Sequence, residues 1–179
     1  MSVEWSAGHF IAGDLALDFA NTVFRRRPEL GADLLTDAEA FGAWLVHADL
    51  PFDGRVSEAA VEQARALRAT LWTVFDAQTG GRTIPAEPFA RLLETGRGST
   101  GLVVRADGSM TATDTAGALA ILALRAVMLL LDPPSPGVRA CDRCGWFFLD
   151  SSRGRRRRWC SMQTCGNQAK AERHRAAGR

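Results

Sequence analysis

Four cysteines near the end of the chain decide how that region folds: Cys141-Asp142-Arg143-Cys144 and Cys160-Ser161-Met162-Gln163-Thr164-Cys165. The pairs enclose two and four residues, and fifteen residues separate them. Four thiolates spaced in this way can bind one tetrahedral Zn²⁺ at about 2.3 Å per bond. A segment of about forty residues buries too little apolar surface to fold without such a staple. The spacing therefore predicts one structural zinc ion, held by Cys141, Cys144, Cys160 and Cys165.

The sequence shows neither a secretory signal nor an apolar stretch long enough to span a membrane. Glu4 stands where a secretory signal would be basic, and no apolar segment with a small-residue cleavage site follows it. The longest apolar stretch, residues 119–131, is interrupted by Arg125 and is shorter than the roughly 20 residues that span a bilayer. We therefore expect a cytoplasmic protein with no membrane partner.

The four cysteines have three alternative interpretations: two disulfides, a redox C-x-x-C motif or an iron–sulfur cluster. A reducing cytoplasm disfavours disulfides, and no thioredoxin-like βαβ pattern surrounds the first pair. The iron–sulfur cluster stays open as the second interpretation of the spacing. Four cysteine ligands leave no coordination position for water, so the pattern indicates a metal that stabilises the fold rather than one that catalyses a reaction.

The residues around the cysteines predict a hairpin followed by a helix. Trp146-Phe147-Phe148-Leu149 is a bulky, β-forming run directly after the first pair, which places that pair in the turn of a hairpin. Residues 168–178 are good helix formers ending in glycine, so a helix is expected to start at the last cysteine. Its free N–H groups would help to hold a thiolate. This order of elements is treble-clef-like.

Charge divides the chain into two unequal parts. Residues 1–138 hold 11 arginines and 17 acidic residues, a net charge of −6, whereas residues 139–179 hold 10 arginines, one lysine and three acidic residues, a net charge of +8. A basic segment of this kind is typical of a surface that faces nucleic acid or another anion. Three prolines and a glycine in residues 132–137 predict a short linker, and therefore domains at 1–131 and 138–179.

The acidic part has mostly helical periodicity. The expected elements, in chain order, are a helix over 15–23 capped by Asp14, a helix opened by a capping box at Thr36 and Glu39, a helix over 57–78, a shorter helix around Leu92, a hairpin turning at Asp107-Gly108, and a buried helix over 116–131. The predicted fold class is α+β: a mostly helical N-terminal domain with a small β-hairpin, plus a C-terminal treble-clef-like zinc finger.

Two polar residues, Asp18 and Asn21, lie beside a core face of the first helix. Because they are three residues apart, they can point the same way and share a partner. An internal hydrogen-bond pair is the first interpretation, since buried polar groups normally find partners within the protein. A ligand site for a small-molecule effector is the second. We expect no enzymatic activity, because nothing in the spacing of the polar residues demands a reaction.

The residues of the basic segment resemble the CGNR zinc finger. The shared features are Phe148-Leu149-Asp150, then Arg158-Trp159-Cys160-Ser161-Met162, then Cys165-Gly166-Asn167 before a basic helix. Leu17 to Thr22, LDFANT, resembles the start of the ABATE domain, which precedes this finger in bacterial proteins described as stress-induced transcription regulators. The resemblance implies that the four cysteines bind zinc and that the protein is a regulator. Gln168 replaces the arginine of the CGNR motif, so a phosphate contact or ion pair from that arginine does not carry over.

Together with the basic segment, the resemblance implies a DNA-binding transcription regulator whose N-terminal domain senses a ligand or forms a homodimer. Arginine runs contact phosphates, whereas only contacts to base edges specify a sequence. The alternative is a small-molecule-binding or enzymatic N-terminal domain with the finger as a protein-interaction module. The residues expected to contact nucleic acid are Arg153, Arg155, Arg156, Arg157, Arg158, Lys170 and Arg173.

Overall fold

The computed structural model describes residues 3–50, 54–154 and 156–177. The helices are α1 (Leu15–Ala20), α2 (Ala38–His47), α3 (Glu58–Thr79), α4 (Ala86–Arg97), α5 (Thr115–Leu131) and α6 (Asn167–Ala177). The strands are β1 (Leu102–Val104), β2 (Met110–Ala112), β3 (Val138–Ala140) and β4 (Phe147–Leu149), and they form two antiparallel hairpins. A π-helical turn at Met162–Gly166 leads into α6. The predicted α+β class is confirmed.

Four helices begin at a side chain that accepts a hydrogen bond from the first helical turn: Asp14, Asp37, Ser57 and Asp114. The capping box predicted at Thr36 is wrong by one residue. Asp37 accepts the hydrogen bond from the Ala40 N–H at 2.8 Å, and the Thr36 hydroxyl donates to Asp37. A carboxylate is the better cap here because its charge also interacts favourably with the helix dipole.

Helix α1 ends earlier than the predicted boundary at residue 23. Asn21 leaves helical geometry with φ −90° and ψ 13°, and Val23 forms an antiparallel bridge with Asp33. The Asn21 side chain is hydrogen-bonded to the backbone of Phe147, 126 residues away. A tertiary contact therefore overrides the local helical periodicity.

Helix α5 is the centre of the helical part and contacts α1, α3, α4 and the first hairpin. Helix α4 approaches it at Gly96, where a Cβ atom would lie 2.6 Å from Cδ2 of Leu124. The close approach therefore requires glycine at this position. Among the described residues, no helix has both the length and the apolar character needed to cross a membrane.

The buried core continues from the helical part into the basic segment. Phe147 and Phe148 of β4 are fully buried in the same cluster as the helical side chains. The ring centroids of Phe75 on α3 and Phe147 are 5.5 Å apart. In addition, α1 contacts β4 and α3 contacts β3. The stretch 132–137 thus connects two parts that pack against each other, and the domain boundaries drawn there stay a prediction.

Candidate metal centre and nucleic-acid interface

Four thiols meet where the β3–β4 turn faces the π-helical turn. Their Sγ atoms all lie within 4.8 Å of one another, with 3.5 Å between Cys144 and Cys160 and 3.7 Å between Cys160 and Cys165. Tetrahedral Zn–S bonds of about 2.3 Å require S–S separations of about 3.8 Å, whereas a disulfide requires about 2.05 Å. The geometry fits one metal ion bound by all four predicted ligands: Cys141, Cys144, Cys160 and Cys165.

These thiols are too crowded to ionise together without a cation. Hydrogen bonding to Cys141 and Cys144, with burial, raises the pKa of Cys160 far above that of a free thiol. Hydrogen bonding to Cys141 likewise raises the pKa of Cys144 to about 12. Burial is the main cause that raises the pKa of Cys165, and only Cys141 has a lowered pKa, through hydrogen bonds from its neighbours. Because the thiolate is the form that binds metal, a divalent ion would offset this repulsion and displace the protons.

The first cysteine pair lies in the β3–β4 turn, as predicted, and Gly145 shapes that turn. Gly145 has φ +75°, and a Cβ atom there would lie 3.0 Å from the Cβ of Arg26. Its N–H donates to the Cys141 carbonyl at 3.0 Å, while the Cys141 N–H donates to the Trp146 carbonyl at 2.8 Å. Gly145 was not among the predicted site residues, although a glycine directly after C-x-x-C is a signal for a left-handed turn position.

The segment after α1 binds the β3–β4 turn, which carries Cys141 and Cys144 and is called the metal turn below. The backbone N–H groups of Arg26 and Arg27 donate to the Cys144 carbonyl at 2.6 and 3.0 Å. The Trp146 indole N–H donates to the Val23 carbonyl at 2.9 Å, and the Arg26 guanidinium donates to the Gly145 carbonyl at 3.2 Å. These outer contacts orient the ligand-bearing backbone. Sequence reasoning missed them because their partners are more than 100 residues apart.

Asn21 and Asp18 both bind the protein itself. The Asn21 amide donates to the Phe147 carbonyl at 2.8 Å and accepts from the Phe147 N–H at 2.9 Å. Asp18 accepts from the Ala12 N–H at 2.9 Å, and burial raises the pKa of its carboxyl to about 7. The contacts favour the interpretation as internal hydrogen bonds, although the two residues have separate partners. A ligand site at these residues stays a prediction.

Two family models match the chain in the order of its two parts. The ABATE model, described as "Putative stress-induced transcription regulator", matches residues 13–133, and the CGNR zinc-finger model matches residues 138–177. The chain belongs to the ABATE family. A search of curated proteins found no match to it. Its CGNR finger carries the four clustered cysteines, which are positioned to hold one structural Zn²⁺.

The CGNR finger exposes most of the basic side chains predicted to contact nucleic acid. Arg158 is also exposed, but its Nε donates to the Asp142 carboxylate at 2.7 Å and its guanidinium lies 5.5 Å from the Trp159 ring centroid. Arg155 lies outside the described residues. Four of the predicted contact residues are exposed and, within the described ranges, form no hydrogen bond or ion pair through their side chains: Arg153, Arg156, Lys170 and Arg173.

Arg157 differs from its neighbours in the arginine run. Its guanidinium donates to the carbonyls of Trp159 and Cys160 and lies 4.7 Å from the Phe148 ring centroid. Its backbone N–H donates to the Asp150 carboxylate at 2.7 Å. The side chain therefore supports the backbone of a metal ligand, and these contacts favour a structural role over the predicted contact with nucleic acid.

Gln168 joins α6 to the metal turn of this ABATE protein. Nε of Arg143 donates to Oε1 of Gln168 at 2.9 Å, and Nη1 of Arg143 donates to both carboxylate oxygens of Glu172, at 2.8 and 2.9 Å. An arginine at position 168 would place a second cation beside Arg143, whereas glutamine supplies an acceptor. Because α6 has no buried residue, these contacts help to fix it on the finger.

Proposed function

We propose that this ABATE protein is a transcription regulator that binds DNA through its CGNR finger. The observation that carries the proposal is the set of exposed, unpaired cations on a backbone fixed by the four-cysteine centre: Arg153, Arg156, Lys170 and Arg173. The net charge of +8 on residues 139–179 and the family's description as regulators support the same conclusion. Neutralising phosphates releases counterions, so binding is expected to weaken steeply with salt.

Helix α6 is the element best placed to approach a nucleic-acid groove. None of its described residues is buried, and Gln168 and Glu172 bind it to Arg143 of the finger. Lys170, Arg173 and His174 lie at positions i, i+3 and i+4 and share one face of the helix. A major groove about 12 Å wide admits an α-helix. Phosphate contacts from this face would position the finger, and base-edge contacts would be needed to read a sequence.

The helical part is proposed to act without catalysis. The buried side chains of Asp18, Asn21 and Arg68 all have hydrogen-bond partners within the protein, as structural residues do. Effector binding and homodimer formation by this part stay predictions, which ligand-induced thermal shift and sedimentation equilibrium would test.

The experiment compares two variants of the zinc-loaded full chain that lose the same charge. Arg153, Arg156 and Arg173 are changed to alanine together; the control changes Arg55, Arg97 and Arg105, which are exposed residues of the helical part. Affinity for a fluorescent random 20-base-pair duplex and for a single-stranded RNA is measured across a salt series. Each lost phosphate contact reduces the slope of log K against log salt by about 0.9 for duplex DNA.

We expect the finger variant to lose about 2.7 from the magnitude of that slope and the control to lose much less. Wild-type protein that fails to bind the duplex, or equal weakening in both variants, would contradict DNA binding through the finger. Stronger binding to RNA than to the duplex would assign the finger to RNA instead.

A further inference from the structure

A polar cleft of about 680 Å³ lies between the helical part and the CGNR finger. Three arginines from separate elements line it: Arg27 after α1, Arg82 after α3 and Arg139 on β3. We propose that this cleft binds the phosphodiester backbone of a nucleic acid, with Arg27 and Arg82 as phosphate contacts. The inference rests on the proposed function and extends the interface to the helical part, whose net charge is negative.

The two acidic residues that line the cleft already have cationic partners. Asp76 forms an ion pair at 2.6 Å with Arg26, whose side chain is 10% exposed, and Asp142 pairs with Arg158 at 2.7 Å. The carboxylates are therefore neutralised by arginines other than the three that line the cleft. The side chains around the cleft carry an excess of positive charge, which favours an anionic ligand.

The three lining arginines differ in their hydrogen bonds and ion pairs within the protein. Arg27 is exposed, and its guanidinium has no hydrogen bond or ion pair within the described ranges. Arg82 is also exposed and donates one hydrogen bond, at 3.1 Å, to the backbone carbonyl of Asp76. Arg139 approaches the buried Asp150 carboxylate at 3.7 Å. Arg27 and Arg82 are thus the members with the most donor capacity for a phosphate.

The partial negative charge at the C-terminus of α3 opposes anion binding, and its size can be compared with the charge of an arginine. The C-terminus of α3 faces the cleft and carries a partial charge of roughly −0.5. Arg82 offsets it, since its N–H donates to the Ala77 carbonyl at 2.9 Å and its guanidinium to the Asp76 carbonyl. A full positive charge at this position exceeds the partial negative charge of the helix end.

The cleft shares one lining residue, Asp142, with a second hollow on the finger. This hollow of about 380 Å³ is also lined by Arg143, Arg158 and Arg173 and by Glu172, whose carboxylate pairs with Arg143 at 2.8 Å. The Arg158–Asp142 ion pair thus marks the border between the two hollows. Among the described residues, the lining arginines of the two hollows that form no ion pair make up a basic track: Arg82, Arg27 and Arg173. A track of this kind can contact several successive phosphates along one strand.

The metal centre fixes the position of Arg27 relative to the finger. The backbone N–H of Arg27 donates to the Cys144 carbonyl, and β3, which carries Arg139, pairs with β4. The backbone segments that carry Arg27 and Arg139 are therefore held in place before a ligand binds. A preorganised surface of this kind avoids part of the ordering cost of association.

The test changes Arg27 and Arg82 together to glutamine in the zinc-loaded full chain. Glutamine retains much of the side-chain stem and removes the charge. The matched control changes Arg97 and Arg105, which are exposed and line neither hollow, to glutamine. Binding of a random 20-base-pair duplex is measured by anisotropy across a salt series, with zinc content and circular dichroism recorded for each protein. A second variant, Arg27→Lys with Arg82→Lys, keeps both charges.

We expect the glutamine variant to lose about 1.8 from the magnitude of the log K–log salt slope, and to bind about tenfold more weakly or worse in 0.1 M salt. The control and the lysine variant should stay within about threefold of wild type. A glutamine variant that binds as tightly as wild type, with an unchanged slope, would overturn the proposal that the cleft binds phosphates. It would leave the proposed function of the finger intact. Equal loss in the control would also overturn it. Wild-type protein that does not bind the duplex would instead contradict the proposed function itself.

Discussion

The helical part and the CGNR finger reach a folded state by different means. The helical part closes around large apolar side chains such as Phe19, Phe41 and Trp44, which are fully buried. The finger buries three of its four cysteines and two phenylalanines, and its α6 buries nothing. Its stability therefore comes from the metal and from docking onto α1 and α3. This arrangement leaves some outer charges of the finger, such as Arg153 and Arg173, without a role in packing.

Arginine shows the same contrast between the two parts. In the helical part, Arg68 is 5% exposed, pairs with Asp33 at 2.6 Å and donates to the Thr22 carbonyl at 2.8 Å. In the finger, Arg153 and Arg173 extend into solvent. A count of arginines therefore identifies a basic segment, but only the positions of the carboxylates and carbonyls separate structural arginines from those free to bind a ligand.

The largest effect is expected from removal of a metal ligand, because the finger depends on the metal for its fold and the helical part does not. We expect Cys160→Ser to lose the single bound zinc and the structure of the finger, because metal binding contributes folding free energy directly in small zinc modules. Zinc content and far-ultraviolet circular dichroism of the full chain measure both effects. Gln163→Ala, an exposed neighbour, is the matched control and should retain zinc. A Cys160→Ser protein that keeps one zinc per chain would contradict the assignment of four cysteine ligands.

Weakening the docking of the finger should have the next largest effect. Phe147→Ala removes a fully buried ring that packs on Phe75 and on the Arg26 guanidinium, 4.2 Å from its centroid. A cavity of this kind costs about 3–5 kcal/mol in the free energy of unfolding. Phe24→Ala, at a side chain that is 66% exposed, should cost less than about 0.5 kcal/mol. Urea denaturation measures both, and equal costs would show that Phe147 does not join the two parts.

The smallest effect concerns Asp18, a buried carboxyl of the helical part. Burial raises its pKa to about 7 from a value of 3.8, so the folded protein binds more protons than the unfolded chain between these values. Its contribution to stability is therefore fully present below about pH 4 and is lost as the pH rises towards 7. We expect wild type to lose about 1–3 kcal/mol more than Asp18→Asn between about pH 5 and pH 8. Identical pH profiles in urea denaturation would exclude this role.

The features that sequence predicted correctly depend on residues close together in the chain. The C-x-x-C turn between β3 and β4, the Asp14 cap of α1 and the first hairpin are of this kind. Contacts between distant residues could not be predicted in this way. Arg156 and Arg157 are adjacent in the arginine run, but only the Arg157 side chain donates to the carbonyls of Trp159 and Cys160 and lies over the Phe148 ring. The proximity of Arg27 to Cys144 likewise depends on the packed fold rather than on local pattern.

Amide hydrogen exchange of the full chain, with zinc and after chelation, tests most directly whether the two parts share one core. The Phe147 N–H donates to Asn21, the Leu149 N–H to the Ala12 carbonyl, and the Arg26 and Arg27 N–H groups to the Cys144 carbonyl. We predict that chelation lowers protection at all four amides and within α1 by about tenfold or more, while α4 and α5 stay protected. Loss of protection confined to residues 138–177, with Arg26, Arg27 and α1 unchanged, would contradict the shared core.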